Sequence, residues 1–277
     1  MPLISSRRNP IVRRLKALCT IKGRNEASQI VLEGTHLLQE VIKIGRLPLE
    51  VIATDKWLEN NHKILENLSN EVNLIKVSEE VLEISLTTLN PDGVASLIPL
   101  NDLPQSRNQP KYVLALDRLQ DPGNIGTIFR NALAGEIEMI WLALGADPLS
   151  QKSLRASSGA ILQLPFQRFG YSEDHAVKEL AKKLKSSAQN GLQIIGAYSP
   201  KASAPFEVIP YWYLDWEKPS VLVLGNEGNG LHPLIQACCT CGVTLPHSKA
   251  VESLNVASAS VPLLLERQRA KMTSYID

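Results

Sequence analysis

The hydrophobic and polar positions of the first hundred residues alternate between two patterns. β-Strands are predicted by four short apolar runs bounded by turn residues, "QIVLEG", "LEVIATD", "EVNLIKVS" and "DGVASLIPL". Helices are predicted between them by segments with apolar residues at helical spacing, "THLLQEVIKIG", "KWLENNHKILENL" and "EEVLEISL". We therefore predict a smaller α/β domain over residues 1–100. The polar, proline-bounded segment 101–110 is the predicted linker.

A second and larger α/β domain is predicted over residues 111–277. Its strands are expected at 111–117, 137–144, 192–198, 219–225 and 242–246. Near-continuous apolar strands such as "SVLVLG" are typical of a parallel sheet that is buried on both faces. Ligands of such sheets bind beyond the carboxyl ends of the strands, so the loops at these ends are where functional residues are expected.

Composition narrows the class of protein. The chain has 277 residues, of which 44% are hydrophobic and 21% charged, as in ordinary globular proteins. No apolar run approaches the roughly 18–20 residues that span a bilayer, and the N-terminus lacks the apolar core of a signal peptide. The four cysteines do not form a disulfide framework. We expect a cytoplasmic protein that does not enter a membrane.

Positive charge is concentrated at the N-terminus. Residues 1–24 contain no acidic residue, whereas the rest of the chain has 22 basic and 28 acidic residues. A basic segment on an acidic body is typical of polyanion binding. We therefore predict RNA contacts from seven side chains, Arg7, Arg8, Arg13, Arg14, Lys16, Lys22 and Arg24. The alternative is the solvated face of an amphipathic helix, since Ile11, Leu15 and Leu18 recur at helical spacing.

Candidate chemistry begins at "DPGNIGTIFRNALA", residues 121–134, directly after the first strand of the second domain. Asn124 is the predicted helix cap. Arg130 follows six residues later and lies about 120° around the helix from it. The two side chains can therefore converge only if Asn124 belongs to the loop and Arg130 points back along its helix. The alternative is a cap followed by a structural arginine.

The second candidate loop is "GNEGNGL", residues 225–231. Gly225, Gly228 and Gly230 follow a strand and let backbone approach a ligand closely. The loop lacks the lysine of a P-loop, and Glu227 would repel a phosphate, which disfavours a nucleotide-phosphate enzyme. The Glu227 carboxylate could instead hold a cation such as Arg130. An ordinary tight turn is the alternative.

The third candidate loop is "LPHSKAVESLNVASASVPLLLE", residues 245–266. Ser253 is the predicted cap of a helix whose start is rich in small residues. Ser253 and Asn255 could also present a hydroxyl and an amide to a ligand. An ordinary capped C-terminal helix is the alternative.

Together, and in this order, the three loops resemble the three motifs of the SpoU (TrmH-type) RNA ribose 2′-O-methyltransferases of the SPOUT superfamily. "NIGTIFRNA", "GNEGNGL" and "LPHSKAVESLNVASAS" are similar to the first, second and third motif. The N-terminal residues are similar to the L30e-like substrate-binding domain that often precedes them. The resemblance implies a parallel-sheet domain with a trefoil knot, a rare exception among folds. It also implies a homodimer that uses S-adenosylmethionine, with Gly225, Leu245 and Leu254 at the cofactor.

The resemblance also assigns roles to the polar residues. Arg130 takes the position of the catalytic arginine; a guanidinium is effectively never deprotonated, so we expect it to stabilise the developing alkoxide rather than act as a base. Asn124 would position the ribose, Glu227 would orient Arg130, and Ser253 and Asn255 would complete the pocket. The function implied is methylation of RNA, with ribosomal RNA ahead of transfer RNA. The alternative is a non-catalytic RNA-binding protein of the same fold, which the intact motif residues disfavour.

Some residues depart from the family pattern or suggest another site. His247 and Lys249 stand where the third motif usually has methionine and glycine, and Pro262 is expected to kink the last helix. Zinc would be an alternative ligand if the chain brought together His232, Cys238, Cys241 and His247. Their spacing does not match a zinc finger, so we expect no metal.

Overall fold

The computed structural model describes residues 2–68, 71–105, 109–248 and 250–273. The chain divides into two compact units. The first comprises residues 1–104 and 148–163, and the second comprises residues 105–147 and 164–277.

The helices and strands follow in chain order. The helices are α1 (Pro10–Leu18), α2 (Ile21–Ala27), α3 (Thr35–Lys43), α4 (Asp55–Asn60), α5 (His62–Glu66), α6 (Glu79–Ser85), α7 (Pro122–Ala134), α8 (Gln151–Ser157), α9 (Glu173–Gln189), α10 (Pro233–Gln236) and α11 (Val256–Thr273). The strands are β1 (Gln29–Glu33), β2 (Glu50–Ala53), β3 (Asn73–Lys76), β4 (Val94–Pro99), β5 (Tyr112–Asp117), β6 (Met139–Ala143), β7 (Phe166–Phe169), β8 (Gln193–Tyr198), β9 (Val208–Pro210), β10 (Ser220–Leu224) and β11 (Cys241–Thr244).

The first unit is built on a four-stranded sheet in the order β1-β4-β2-β3. β4 is antiparallel to both β1 and β2, while β2 and β3 are parallel. The four strands predicted for this domain are confirmed. The helix predicted over residues 56–68 is instead two helices that meet at Asn61, where the backbone leaves the helical region. The Asn61 amide donates to the Trp57 carbonyl at 2.8 Å and so closes α4.

The basic N-terminal segment is part of this unit. Asn9 caps α1 by accepting a hydrogen bond from the Ile11 amide at 3.0 Å. One face of α1 is buried in the core, through Ile11, Val12, Leu15 and Leu18. Helical periodicity therefore fixes the rest of the helix as an outward face, which is where the basic side chains lie.

The second unit is built on a seven-stranded sheet in the order β7-β6-β5-β10-β8-β11-β9. Every neighbouring pair is parallel. The five predicted strands are confirmed and occupy the interior of the sheet. The two edge strands, β7 and β9, were not predicted, because edge strands are short and only partly buried and so lack the continuous apolar run of a central strand. The trefoil knot stays a prediction.

Segment 148–163 packs with the first unit although it lies between strands of the second. The Gln151 side chain donates to the Val31 carbonyl at 2.8 Å, and Arg155 pairs with the buried Glu33 at 3.1 Å. The boundaries predicted from the sequence give this segment to the second domain. Its contacts are non-local, so the local pattern of apolar residues does not encode them.

The last helix, α11, continues through Pro262 to Thr273 as one element, and the predicted kink stays a prediction. Within the described ranges, no helix is both long enough and apolar enough to cross a membrane.

Candidate active site

The three candidate loops lie at the same edge of the second sheet. They follow β5, β10 and β11, and the carboxyl ends of parallel strands face the same side. A cavity of about 650 Å³ opens beside the second and third loops. Its walls come from the ends of β8, β10 and β11, from the loops that follow them and from the start of α11.

Asp121, rather than Asn124, caps α7. The Asp121 carboxylate accepts hydrogen bonds from the amides of Gly123 and Asn124, at 2.5 and 3.1 Å. The predicted cap was wrong because Pro122 takes the first helical position, which proline favours and which makes its predecessor the cap. Asn124 lies in the first turn of the helix, so its side chain is available for other contacts.

Asn124 joins the three loops. Its Nδ2 donates to Glu227 Oε1 at 3.2 Å, and its Oδ1 accepts from Asn255 Nδ2 at 3.0 Å. Asn124 lies more than a hundred residues from both of its partners in the sequence, and Glu227 and Asn255 lie 28 residues apart. The predicted convergence of the three loops is therefore present as a chain of hydrogen bonds.

Glu227 also binds backbone. Its carboxylate accepts hydrogen bonds from the amides of Gln120 and Asp121, at 3.2 and 3.4 Å. The carboxylate therefore fixes the loop between β5 and α7, a role that the sequence did not suggest. That Glu227 also orients Arg130 stays a prediction.

Arg130 lies on the exposed surface of α7. Convergence of Asn124 and Arg130 required Asn124 to lie in the loop before the helix, but both residues belong to α7. They lie about 120° apart around its axis. The catalytic role of Arg130 stays a prediction.

Asn255, rather than Ser253, caps α11. Its Oδ1 accepts hydrogen bonds from the amides of Ala257 and Ser258, at 2.9 and 3.1 Å. The predicted cap was wrong because the helix begins later than a cap at Ser253 requires, at Val256. Asn255 thus holds the helix start with its oxygen and Asn124 with its nitrogen, while Ser253 stays exposed and lines the cavity.

The three predicted cofactor residues, Gly225, Leu245 and Leu254, all line the cavity. A glycine was expected at position 225 so that backbone could approach the ligand, but the structure gives a different reason. A Cβ there would lie 2.5 Å from the Gly230 carbonyl carbon and 2.6 Å from the Leu231 nitrogen, so the missing side chain first lets the loop close on itself. A Cβ at Gly228 would meet only the Asn226 side chain, at 3.7 Å.

A buried acid–base pair beneath the loops was missed. Asp117 ends β5 with its side chain fully buried, and Arg118 pairs with it at 2.8 Å and with Glu173 at 2.7 Å. The hydrogen bond that Arg118 donates to the Asp117 carboxylate raises the pKa of Arg118 above its ordinary value, against the lowering effect of burial. A signal was available, because "YVLALDR" places two charges directly at the end of an apolar strand.

Two departures from the family pattern fall in the third loop. His247 lines the cavity, and its Nδ1 lies 2.7 Å from the Leu245 carbonyl oxygen. Lys249 lies outside the described residues.

The candidate zinc ligands have other partners. His232 caps α10, with its Nδ1 accepting from the Leu234 amide at 3.1 Å. Cys238 is a buried thiol that donates to the Leu234 carbonyl. Among the residues with described positions, no three His, Cys, Asp or Glu side chains are grouped so that they could hold a metal ion.

The predicted RNA-binding residues of the first unit divide into three groups. Arg8, Arg13 and Lys16 are exposed and have no carboxylate partner in the part of the chain that the structure describes. Ion pairs engage Arg7 with Glu80, Arg14 with Glu50 and Lys22 with Glu26.

Arg24 does not belong to the exposed set. It is 2% exposed and donates to the Cys19 carbonyl at 3.3 Å. Its prediction as a phosphate ligand was wrong, because its position in α2 turns the side chain toward the protein interior.

Comparisons with known proteins agree with this geometry. The SpoU rRNA Methylase family matches residues 111–264, and the MRM3-like substrate binding domain matches residues 9–96. An uncharacterized tRNA/rRNA methyltransferase of Synechocystis is 36% identical over 96% of this chain and 93% of its own. The 23S rRNA (guanosine(2553)-2′-O)-methyltransferase RlmP of Bacillus subtilis is 28% identical over 95% of this chain and 98% of its own. The AdoMet-bound rRNA methyltransferase of Sinorhizobium meliloti superposes with a TM-score of 0.75, at 25% identity over 97% of each chain.

Proposed function

Since the chain belongs to the SpoU rRNA methylase family, we propose that it transfers a methyl group from S-adenosylmethionine to a ribose 2′-hydroxyl of ribosomal RNA. The observation that carries this proposal is the hydrogen-bonded chain Glu227–Asn124–Asn255, which joins the three motifs and of which Glu227 lines a ligand-sized cavity. The 2′-O-methyltransferase activity that gives the Bacillus relative its name supports the ribose 2′-oxygen as the acceptor.

The cavity suits this cofactor chemically. Its volume lies within the range of about 300–1,000 Å³ that is usual for small-molecule sites. Apolar side chains such as Leu245 and Leu263 can pack against a nucleobase, while the backbone of the 225–231 loop offers polar groups. Its described lining includes Glu227 and Glu252 and no lysine or arginine, a charge that suits a sulfonium cation and disfavours a nucleotide phosphate.

When bound, S-adenosylmethionine supplies an electrophilic methyl group on a positively charged sulfur. The protein has to hold the ribose so that its 2′-oxygen lies in line with that methyl group. Asn124 is suited to this task, because two neighbours fix its amide and the first turn of α7 fixes its backbone. Arg130 would stabilise the charge that develops on the 2′-oxygen and bind an adjacent phosphate, while remaining protonated.

RNA selection is proposed to involve the outward face of α1. Arg13 and Lys16 present positive charge there without a carboxylate partner among the described residues, and exposed Arg8 lies just before the helix; the matched substrate-binding domain begins at residue 9. Transfer RNA is the alternative substrate, because the Synechocystis relative is named as a methyltransferase of either RNA. We place this reaction in the cytoplasm.

A homodimer is proposed as the working form. α11 buries one face against α7, yet Val261, Leu265 and Met272 recur at helical spacing on its exposed side. Trp212 and Tyr213 add exposed aromatic surface in a segment that contacts α11. A second copy would cover this apolar surface, which monomeric proteins rarely leave open.

The proposal is tested by methyl transfer from labelled S-adenosylmethionine to RNA from a strain that lacks the protein. Ribosomal and transfer RNA are assayed separately, and RNA from the parent strain, already methylated, is the control. We expect label in ribosomal RNA of the deletion strain alone. Tight RNA binding without cofactor binding by calorimetry would instead identify a non-catalytic RNA-binding protein.

A further inference from the structure

The buried pair at the end of β5 binds the loop that walls the cavity. The side chain of Asp117 has no exposed surface, and its Oδ2 accepts a hydrogen bond from the His232 amide at 2.6 Å. Its Oδ1 accepts from Arg118 Nε at 2.8 Å. His232 directly follows the glycine-rich loop, so the carboxylate fixes the end of that loop to the central strand β5.

The start of the same loop is fixed by the backbone of Arg118. Arg118 has φ of +57°, a left-handed conformation that is uncommon for a residue other than glycine. Its carbonyl oxygen accepts from Asn226 Nδ2 at 2.9 Å and from Gln120 Nε2 at 3.0 Å. The ion pair with Asp117 and the contact with Glu173 hold the Arg118 side chain, and through it this strained backbone.

Between these anchors the loop is closed on itself. The amides of Asn226 and Gly230 donate to each other's carbonyl oxygens, at 3.0 and 2.9 Å. The Asn226 side chain accepts from the amides of Gly228 and Asn229, both at 3.0 Å. The loop is therefore a preformed unit whose position depends on its attachment to residues 117 and 118.

We propose that Asp117 and Arg118 are positioning residues that hold the 225–231 loop at the place where its backbone binds the cofactor. Backbone groups cannot adjust as a long, flexible side chain can. If the loop moves, all the contacts between its backbone and the ligand are therefore lost at once. The inference rests on the proposed function, since it takes S-adenosylmethionine as the occupant of the cavity. The alternative is that Asp117 and Arg118 are merely structural, a buried pair whose opposite charges compensate each other.

Two double variants separate the roles. Both remove the two charges together, so neither leaves a buried charge unpaired. Asp117→Asn with Arg118→Gln keeps a side-chain oxygen that can accept from the His232 amide. Asp117→Leu with Arg118→Gln has a similar volume but no acceptor. The assays are calorimetric binding of S-adenosylmethionine, RNA binding and thermal unfolding of the full-length chain.

We expect the cofactor Kd to stay within about threefold of the unaltered protein in the Asn variant and to rise about tenfold or more in the Leu variant, the scale for a buried donor left without its partner. RNA affinity should be equal in both. Equal cofactor affinity in the two folded variants would overturn the inference. Absence of cofactor binding by the unaltered protein would instead refute the proposed function.

Hydrogen exchange on the unaltered chain decides the question if the Leu variant does not fold. The His232 amide should exchange slowly and become slower still when S-adenosylmethionine is added, because the ligand and the carboxylate restrain the same loop. Rapid exchange of that amide in the cofactor-bound protein would show that Asp117 does not hold the loop.

Discussion

Asn255 offers a direct separation of stability from function, because its two side-chain atoms have different tasks. Its Oδ1 caps α11 and its Nδ2 holds Asn124. Asn255→Asp keeps an oxygen for the cap and places a negative charge at a helix N-terminus, which is favourable. The aspartate has no N–H group to donate to Asn124 Oδ1. Asn124 could keep a contact with it only by rotating its side-chain amide, which would break its hydrogen bond to Glu227. Asn255→Ala loses both tasks.

The magnitudes follow from these contacts. Loss of the cap should cost about 1 kcal/mol, which lowers Tm by about 2–4 °C in a protein of this size. Loss of one positioning hydrogen bond of about 0.5–1.5 kcal/mol should lower kcat/KM about 2- to 13-fold. Asn255→Asp should therefore retain the Tm and lose activity, while Asn255→Ala loses both.

The assays are differential scanning calorimetry and single-turnover methyl transfer at saturating cofactor. Full activity of Asn255→Asp would show that the contact with Asn124 is irrelevant to the reaction. An unchanged Tm of Asn255→Ala would refute the cap.

Further variants test other parts of the account. Arg130→Ala should lower the single-turnover rate by about 10²–10³ with unchanged cofactor affinity, and Arg130→Lys should restore part of it; a normal rate for Arg130→Ala would make the arginine structural. Gly225→Ala should lower stability and cofactor binding, because its Cβ meets backbone, whereas Gly228→Ala should fold normally; equal Tm values would refute the packing argument. Alanine in place of Arg8, Arg13 and Lys16 should weaken RNA binding. The slope of log K against log salt should fall by about 2, at about 0.7 per contact to single-stranded RNA, whereas an unchanged slope would show that these residues do not contact the RNA.

Burial gives one prediction about reactivity. Burial raises the pKa of Cys239 to about 12, so at pH 8 its thiolate, the reactive form, is scarce in the folded protein. Iodoacetamide should leave Cys239 unmodified until the chain is unfolded, as measured by mass spectrometry of its peptide. Rapid modification in the native protein would contradict its burial.

The ranges of the central strands along the chain and the loops that carry the candidate site could be predicted because local patterns encode both. Continuous apolar runs mark the central strands of a sheet buried on two faces, and strand ends followed by glycine and asparagine mark its loops. The assignment of Gly225, Leu245 and Leu254 to the cofactor came from the family resemblance alone, and all three line the cavity. Each of these signals lies within about fifteen residues of sequence.

What could not be predicted depends on competition between neighbours or on distant contacts. Asp121 and Asn255 displaced the expected caps because the helix start shifted by a few residues, and several residue types can cap equally well. Arg24 is buried because of the packing of α2, which charge counting cannot show. The docking of segment 148–163 on the first unit likewise depends on partners such as Glu33, more than a hundred residues away.

The central claim is tested most directly by identifying the methylated product. RNA from the deletion strain is incubated with the protein and S-adenosylmethionine, digested to nucleosides and separated by mass spectrometry against 2′-O-methyl and base-methyl standards. We expect one 2′-O-methylnucleoside to form, and none when the target nucleotide carries a 2′-deoxy sugar. A base-methylated nucleoside, or methylation of the deoxy substrate, would contradict the central claim.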